Sequence, residues 1–261
     1  MSQRNASKYL KKAVGSLMAF AILSAGCLSA ADAPSGKIPI VVELFTSQGC
    51  SSCPPADEWL AKIDQAQPVP GAELIVMSEH VDYWDHDGWR DPYSSASLTA
   101  RQAAYVAALH TGGPYTPDVI LDGATDVPLS RPQAMAAAFR ASSETTPGAT
   151  VQVERAGDSH LHVKVTPIIA RLNADVFVAE ALDQAKTNVG AGENKGRALS
   201  DVAVVQSLAK LGTVESGQTM NRSVELKPIR GESAAHLRII VFVQERDMGR
   251  IVGAAMLKPI S

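Results

Sequence analysis

The sequence predicts an α/β domain followed by a small all-β, sandwich-like domain. Strand-like and helix-like segments alternate over residues 37–142, as is typical of α/β folds. A polar stretch with Pro and Gly at 143–149 has the composition of a linker. Short alternating runs between turn residues fill 150–261, which is the pattern of a β-sandwich. The 261 residues suffice for one large or two small domains.

The residues before the first domain have the layout of an export signal. The first 31 residues include four basic and no acidic side chains, and residues 14–31 are uncharged. A basic segment, an apolar segment and a small-residue cleavage zone such as Ser29-Ala30-Ala31 define a secretory signal peptide. We therefore expect residues 1–31 to be a signal peptide and the protein to be exported, either periplasmic or secreted.

Cys27 leaves an alternative to simple cleavage. Leu23-Ser24-Ala25-Gly26-Cys27 is similar to a bacterial lipobox, with Ser24 where a branched apolar residue is usual. Lipidation at Cys27 would tether the protein to a membrane, and it is the less favoured alternative. We expect no other membrane association, since no later segment is long and apolar enough to cross a bilayer. In both cases the remaining cysteine pair lies in an oxidising compartment.

The elements of the first domain follow in alternating order. An apolar, β-branched run at 37–46 predicts a buried strand, and helical spacing of apolar residues after Pro54-Pro55 predicts the first helix. The later elements are predicted as a strand at 74–77, a helix at 94–110, a strand at 118–121, a short strand after the Asp122-Gly123 turn, and a helix at 131–141. About 110 residues of this kind can bury a core of their own.

The second domain is predicted to be mostly strands. They are expected at 150–155, 160–166, 175–182, 222–226, 237–244 and 250–257, with a hairpin turn at Gly157-Asp158 and a possible short helix at 202–211. The glycine-rich loop at 190–196 lacks the Lys-Ser/Thr of a phosphate loop, so we expect no nucleotide. A net charge of −3 without a basic patch argues against nucleic acid.

The chemistry is expected at Cys50 and Cys53, which form a CxxC pair at the turn from the first strand to the first helix. Backbone N–H groups and the helix dipole favour a thiolate at such a position. Cys50, nearer the loop and solvent, would be the nucleophile, and Cys53 would resolve the mixed disulfide. A static disulfide or a metal-binding pair are the alternatives. One CxxC cannot complete a four-ligand zinc site alone, and we expect no metal and no cofactor.

A polar and aromatic segment follows the second strand. His80, Asp82, Asp85, His86 and Asp87 could add ligands to a metal site with the thiols. The favoured interpretation is that the aromatic residues in this segment anchor a loop beside the CxxC, while its polar residues cap and solvate it.

Several motifs together resemble the DUF1223 family. They are ELFTSQGCSSCPPAD at 43–57, HVDYWD at 80–85, GWRDP at 88–92, RQ at 101–102 with Tyr105, YTPDVILDG at 115–123 and GENKGR at 192–197. The family comprises exported bacterial proteins of the thioredoxin-like superfamily, and its biochemical role is not established. The resemblance implies a thioredoxin-like first domain.

The same resemblance gives roles to two further positions. Thr116-Pro117 is similar to the Thr-Pro that opens the third core strand of such proteins, where a cis proline faces the cysteines and a bound polypeptide pairs with the free backbone edge. Glu43 would be either the buried carboxylate that carries a proton to Cys53 or a strand-end residue that faces water. We therefore expect an exported thiol–disulfide oxidoreductase acting on protein thiols or disulfides, if the protein is an enzyme. A redox-inert or metal-binding exported protein with a structural disulfide is the alternative.

Overall fold

The computed structural model describes residues 36–157, 159–226, 228–229 and 231–260. The predicted signal peptide, Cys27 and Asp158 of the predicted hairpin turn lie outside these residues. The described elements, in chain order, are β1 (Ile38–Thr46), α1 (Pro54–Ala66), β2 (Ala72–His80), α2 (Ala96–Leu109), β3 (Asp118–Leu121), β4 (Thr125–Asp126), α3 (Pro132–Ser143), β5 (Ala149–Arg155), β6 (His160–Pro167), β7 (Asn173–Asn188), β8 (Ala198–Glu215), β9 (Met220–Glu225), β10 (Leu237–Glu245) and β11 (Ile251–Leu257). Among the described helices none is long and apolar enough to span a bilayer.

The elements predicted for residues 37–142 are confirmed. Two prolines occupy the first turn of α1, where a missing N–H costs nothing because that donor has no partner in the helix. The hydroxyl oxygen of Ser95 caps α2 by accepting a hydrogen bond from the N–H of Ser97. These local features explain why the helices begin where the sequence indicated.

Eight strands form one mixed sheet in the order β11-β10-β7-β8-β2-β1-β3-β4. β1 lies parallel to β2 and antiparallel to β3. β8 joins the edge of β2 in a parallel contact that pairs Ser78 with Val204. Strands from both halves of the chain therefore share a continuous sheet.

The predicted fold class, a thioredoxin-like α/β domain followed by a small all-β sandwich-like domain, is wrong. Four strands of the second half, β7, β8, β10 and β11, extend the sheet of the first half instead of forming a sandwich of their own. The physical reason is the edge of β2, whose backbone groups would lack partners if the first half folded alone. The stretch at 143–149 lies between α3 and β5, and the domain boundaries placed there stay a prediction.

A second, smaller sheet has the order β5-β6-β9. The predicted antiparallel pairing of its first two strands is confirmed. Inward-facing residues of this sheet, such as Val151, Leu161 and Val163, pack against Val176, Val241 and other residues of the large sheet. Only three strands of the second half thus form the separate layer that the sequence predicted for all of them.

The predicted helix at 202–211 is also wrong, because these residues belong to β8. This strand forms a long antiparallel ribbon with β7, interrupted by two register shifts. Val204 and Val205 are adjacent in the sequence and both are buried, near a point where the pairing of β8 is irregular. Adjacent buried residues do not fit the alternation of a regular strand, and they made a helix seem the better assignment.

The two faces of β1 lead to different parts of the molecule. Val42 and Leu44 pack with α1 and α3, whereas Val41 packs with α2 and with strands of the second half. Successive side chains of a strand point to opposite faces, so alternate residues of β1 contact different helices.

Candidate functional site

Cys50 and Cys53 form a disulfide at the start of α1, with their Cα atoms 5.5 Å apart. Cys53 is the N-cap residue of the helix, and the N–H groups of Ala56 and Asp57 donate to its carbonyl oxygen. Cys50 is 1% exposed and Cys53 is fully buried. The disulfide is therefore almost completely shielded from solvent.

The Thr116–Pro117 segment lies beside that sulfur, as predicted. Its peptide bond is cis. The Sγ atom of Cys50 is 3.9 Å from the carbonyl oxygen of Thr116 and 3.2 Å from the hydroxyl oxygen of Ser52. The indole N–H of Trp84 donates to the Thr116 hydroxyl at 2.7 Å and helps to hold the segment in place.

An open groove of about 290 Å³ lies beside the CxxC turn. Ser52 and Pro117 border it, and most of its other lining is apolar: Pro55, Ala56, Trp59 and Leu129. The groove is wide enough for one large apolar side chain of a bound molecule.

The loop at residues 190–197, in the second half of the chain, is hydrogen-bonded to the CxxC turn. The buried side-chain amide of Asn194 donates to the carbonyl oxygens of Gln48 and Cys50, each at 2.9 Å. The carboxylate of Glu193 accepts a hydrogen bond from the N–H of Ser51 at 3.0 Å. Arg197 donates to the Asn194 side-chain oxygen at 2.8 Å and holds the amide in this orientation.

Glu43 is fully buried, but it lies on the α2 side of β1 and not beneath the cysteines. Its carboxylate accepts hydrogen bonds from Arg101 and from the Tyr105 hydroxyl, both at 2.6 Å. Glu79 is a second buried carboxyl beside Arg101, and its pKa is raised well above the usual range by burial and by the neighbouring Glu43. The predicted proton-carrying role of Glu43 stays a prediction, and its contacts are those of a structural ion pair.

The carboxyl group that lies closest along the helix to Cys53 is Asp57. Asp57 follows Cys53 by four positions, so the two share one face of α1 with Cβ atoms about 6 Å apart. Asp57 accepts a hydrogen bond from the Thr46 hydroxyl at 2.7 Å, which directs it beneath the start of the helix. A cleft of about 150 Å³, lined in part by Asp57, Asp201 and Arg197, connects it with the surface.

Asp57 belongs to a buried cluster of charged side chains. Burial and the nearby Asp201 raise the pKa of Asp57 to about 7. Burial alone would lower the pKa of His80, but Asp91, whose Oδ2 lies 2.7 Å from the imidazole Nδ1, raises it to about 9 with help from Asp201 and Asp57. Burial also raises the pKa of Asp201. The cluster therefore holds a carboxyl that exchanges protons near neutral pH.

The aromatic and acidic segment after β2 lies against the CxxC turn. Trp84 packs on Gly49, and the Asp91 carboxylate accepts a hydrogen bond from the Gln48 N–H at 2.8 Å. Asp85 accepts hydrogen bonds from the Asp91 N–H and the Ser94 hydroxyl. In the described part of the chain, no three His, Cys, Asp or Glu side chains converge as metal ligands would.

Four residues of the site were missed at the sequence level. Asp57 was not among the predicted site residues, although its position four residues after Cys53 was a usable clue. Asn194 and Glu193 were noted as part of a motif without a role, because no local pattern indicates which turn a loop 144 residues away will contact. The position of Asp201 at the site could not be predicted for the same reason.

Comparison with known protein families finds one family model that matches more than half of the chain. The family model described as "Protein of unknown function (DUF1223)" matches residues 41–244. No curated protein matches the chain.

A crystal structure of a protein from Agrobacterium tumefaciens, determined by a structural genomics consortium, is similar over most of the molecule. It is 29% identical, covers 85% of this chain and 95% of its own, and has a TM-score of 0.68. A domain of the outer membrane lipoprotein Omp28 from Porphyromonas gingivalis matches at 13% identity with a TM-score of 0.26, covering 44% of this chain and 92% of that one.

Proposed function

Because the chain belongs to the DUF1223 family, whose description names no activity, we propose its function from the site alone: a thiol–disulfide oxidoreductase that acts on polypeptide thiols or disulfides. One observation carries the proposal. The Cys50–Cys53 disulfide lies at a helix start, with the Cys50 sulfur 3.9 Å from the Thr116 carbonyl oxygen, and the neighbouring Ser52 and Pro117 line an apolar groove. Export by the N-terminal segment, which would keep the pair in an oxidising compartment, is part of the same proposal.

The chemistry is an exchange of disulfide bonds. The Cys50 thiolate attacks a substrate disulfide, an S–S bond forms between Cys50 and the substrate, and the other substrate sulfur leaves as a thiolate. The Cys53 thiol then loses its proton and attacks Cys50, which closes the protein's disulfide and releases the second substrate thiolate. The substrate disulfide is thereby reduced to two thiols, and the dithiol of the protein is oxidised.

A polypeptide is the substrate that suits the surroundings of Cys50. The Thr116 carbonyl can accept a hydrogen bond from a bound backbone, and the groove beside Pro117 and Trp59 can take an apolar side chain. Burying a side chain of the size of Leu or Phe there is worth about 1.5–3 kcal/mol, which favours substrates with an apolar residue next to the reacting cysteine.

Asp57 is the proton acceptor in this proposal. It lies one helical turn from Cys53, and its pKa of about 7 lets it take and release a proton at physiological pH. The cleft lined by Asp57 and Asp201 gives that proton a way to bulk water.

Burial of the cysteines favours a second candidate, a structural disulfide without catalytic turnover. Cys50 is 1% exposed, and Asn194 fixes the turn that carries it. The two candidates differ in one respect, since only a catalyst forms a mixed disulfide with a partner.

Trapping separates the two candidates. Cys53→Ala leaves Cys50 without its resolving thiol, so mixed disulfides with partner proteins should accumulate and be released by reductant. Cys50→Ala is the matched control, because it keeps one buried thiol and should trap nothing. Equal yields from the two variants, or no adduct from Cys53→Ala with exported proteins, would favour the structural disulfide.

A further inference from the structure

We propose that Glu193 is a positioning residue that raises the pKa of the Cys50 thiol and biases the couple toward disulfide, which makes the reduced protein the stronger reductant. The inference rests on the proposed function, since it assigns a direction to the same couple. It follows from the hydrogen bond between the Glu193 carboxylate and the N–H of Ser51, the residue next to Cys50.

Glu193 is held at this position by its neighbours, although its own side chain is exposed. Asn194, the next residue, is buried and bonded to both the Gln48 and Cys50 carbonyls. The loop closes on itself through hydrogen bonds between Val189 and Arg197, at 2.9 Å, and between Gly196 and Val189, at 2.8 Å.

Packing fixes the other side of the same loop. Gly192 has a φ of +72°, and a Cβ atom there would lie 3.2 Å from the Cβ of Trp89. Only glycine combines that backbone conformation with such a close approach at little cost. The carboxylate of Glu193 is thus anchored beside the CxxC turn by the surrounding fold.

The effect on Cys50 follows from charge. N–H groups at a helix start stabilise a thiolate, and the bond to Glu193 occupies one of them. The carboxylate also places a negative charge 3.0 Å from the backbone nitrogen that follows Cys50, which disfavours a second negative charge on the Cys50 sulfur. Because a couple becomes more oxidising when its thiolate is stabilised, Glu193 acts in the opposite direction.

The other charged groups around the turn differ in where they act. Hydrogen bonds from the Ser51 side chain and backbone, and to a smaller extent the nearby His86, favour the charged form of Glu193 and lower its pKa. Arg197 is engaged with Asn194. Asp57 and Asp201 lie beneath the start of α1, on the side of Cys53. Glu193 is therefore the acidic group bonded to the backbone next to Cys50.

Glu193→Gln tests the proposal, because glutamine still accepts the Ser51 hydrogen bond and removes only the charge. The pH dependence of Cys50 alkylation by iodoacetamide in the reduced full-length protein gives the thiol pKa. We expect the acid dissociation constant of Cys50 to rise on the order of threefold, and the difference to shrink in 1 M NaCl. The equilibrium with glutathione at pH 8 should shift toward the dithiol.

Glu154→Gln, an exposed glutamate on the small sheet, is the matched control and should change neither quantity. An unchanged or raised Cys50 pKa in Glu193→Gln would overturn the proposal. That result is distinguishable from failure of the proposed function, because the thiol pKa is measurable whether or not Cys53→Ala traps a partner.

Discussion

At the scale of single residues, the alternation of side chains along β1 decides whether an acidic residue of this strand lies on the same face of the sheet as the cysteines. Glu43 and Leu44 are neighbours in the sequence, yet one meets Arg101 of α2 and the other packs beneath α1. Burial of Glu43 was predictable from its apolar neighbours. Strand alternation puts Glu43 on the face of the sheet opposite to α1 and the CxxC. That placement could not be predicted from the sequence, because it requires knowing that α1 and α2 cover opposite faces.

Asp57 should make stability depend on pH in a defined direction. Its pKa is about 7 in the folded protein and near 3.8 in the unfolded chain, so the folded state binds the proton more tightly. Stability is therefore lost as pH rises from about 4 to 7. Asp57→Asn should gain on the order of 2–4 kcal/mol relative to wild type between pH 4.5 and 8, measured by urea unfolding.

Glu58→Gln is the control for that measurement, since Glu58 neighbours Asp57 but is exposed. A free-energy difference between Asp57→Asn and wild type that stays constant from pH 4.5 to 8 would show that Asp57 is not a proton-binding carboxyl in the folded state.

Arg101 is the counterion of the buried Glu43, and it also lies 3.7 Å from the buried Glu79. Arg101→Met should destabilise the protein by about 3–5 kcal/mol, because it leaves the buried Glu43 carboxylate without a counterion. Chemical denaturation at pH 8 checks this. Adding Glu43→Gln to Arg101→Met should recover part of the loss, whereas a loss below 1 kcal/mol for the single variant would contradict the buried ion pair.

At the scale of elements, the CxxC turn is shaped by segments distant in sequence. Trp84, Asp91 and Asn194 all bond to or pack against residues 48–50. The helix start and the cysteine spacing were predictable from local sequence, because prolines and periodicity act over a few residues. The surrounding loops were not, since their contacts depend on how the sheet brings distant strands together.

Gly49 is the position where this turn passes closest to its neighbour. A Cβ atom there would lie 2.7 Å from the backbone oxygen of Trp84. Gly49→Ala should therefore cost about 1–3 kcal/mol in the free energy of unfolding. Gly113→Ala, in open space, is the matched control and should be nearly neutral. Equal stability of the two variants in thermal unfolding would mean that the turn and Trp84 are not packed as described.

At the scale of the whole molecule, the sheet crosses from one half of the chain to the other. Val41 and Met77 of the first half share a buried cluster with Ile240 and Phe242 of the second. The sequence indicated the strands of both halves but not this joint, because strand patterns carry no information about which edges will pair.

Because the two halves of the chain share this core, we predict that the first half will not fold alone. A fragment of residues 36–147 would expose the apolar residues that meet β7, β8 and β10, and it would leave the edge of β2 unpaired. Far- and near-UV circular dichroism of this fragment should show no cooperative unfolding transition. A cooperatively folded fragment with native-like near-UV signal would contradict the shared core.

The central claim is that the Cys50–Cys53 couple exchanges with partner disulfides, and its reduction potential tests that claim most directly. Equilibration of the full-length protein with glutathione buffers, followed by alkylation and mass measurement, gives the value. We predict a potential above about −300 mV, in the range of couples that exchange with cellular thiols. A potential well below −300 mV would mark a structural disulfide and contradict the proposed function.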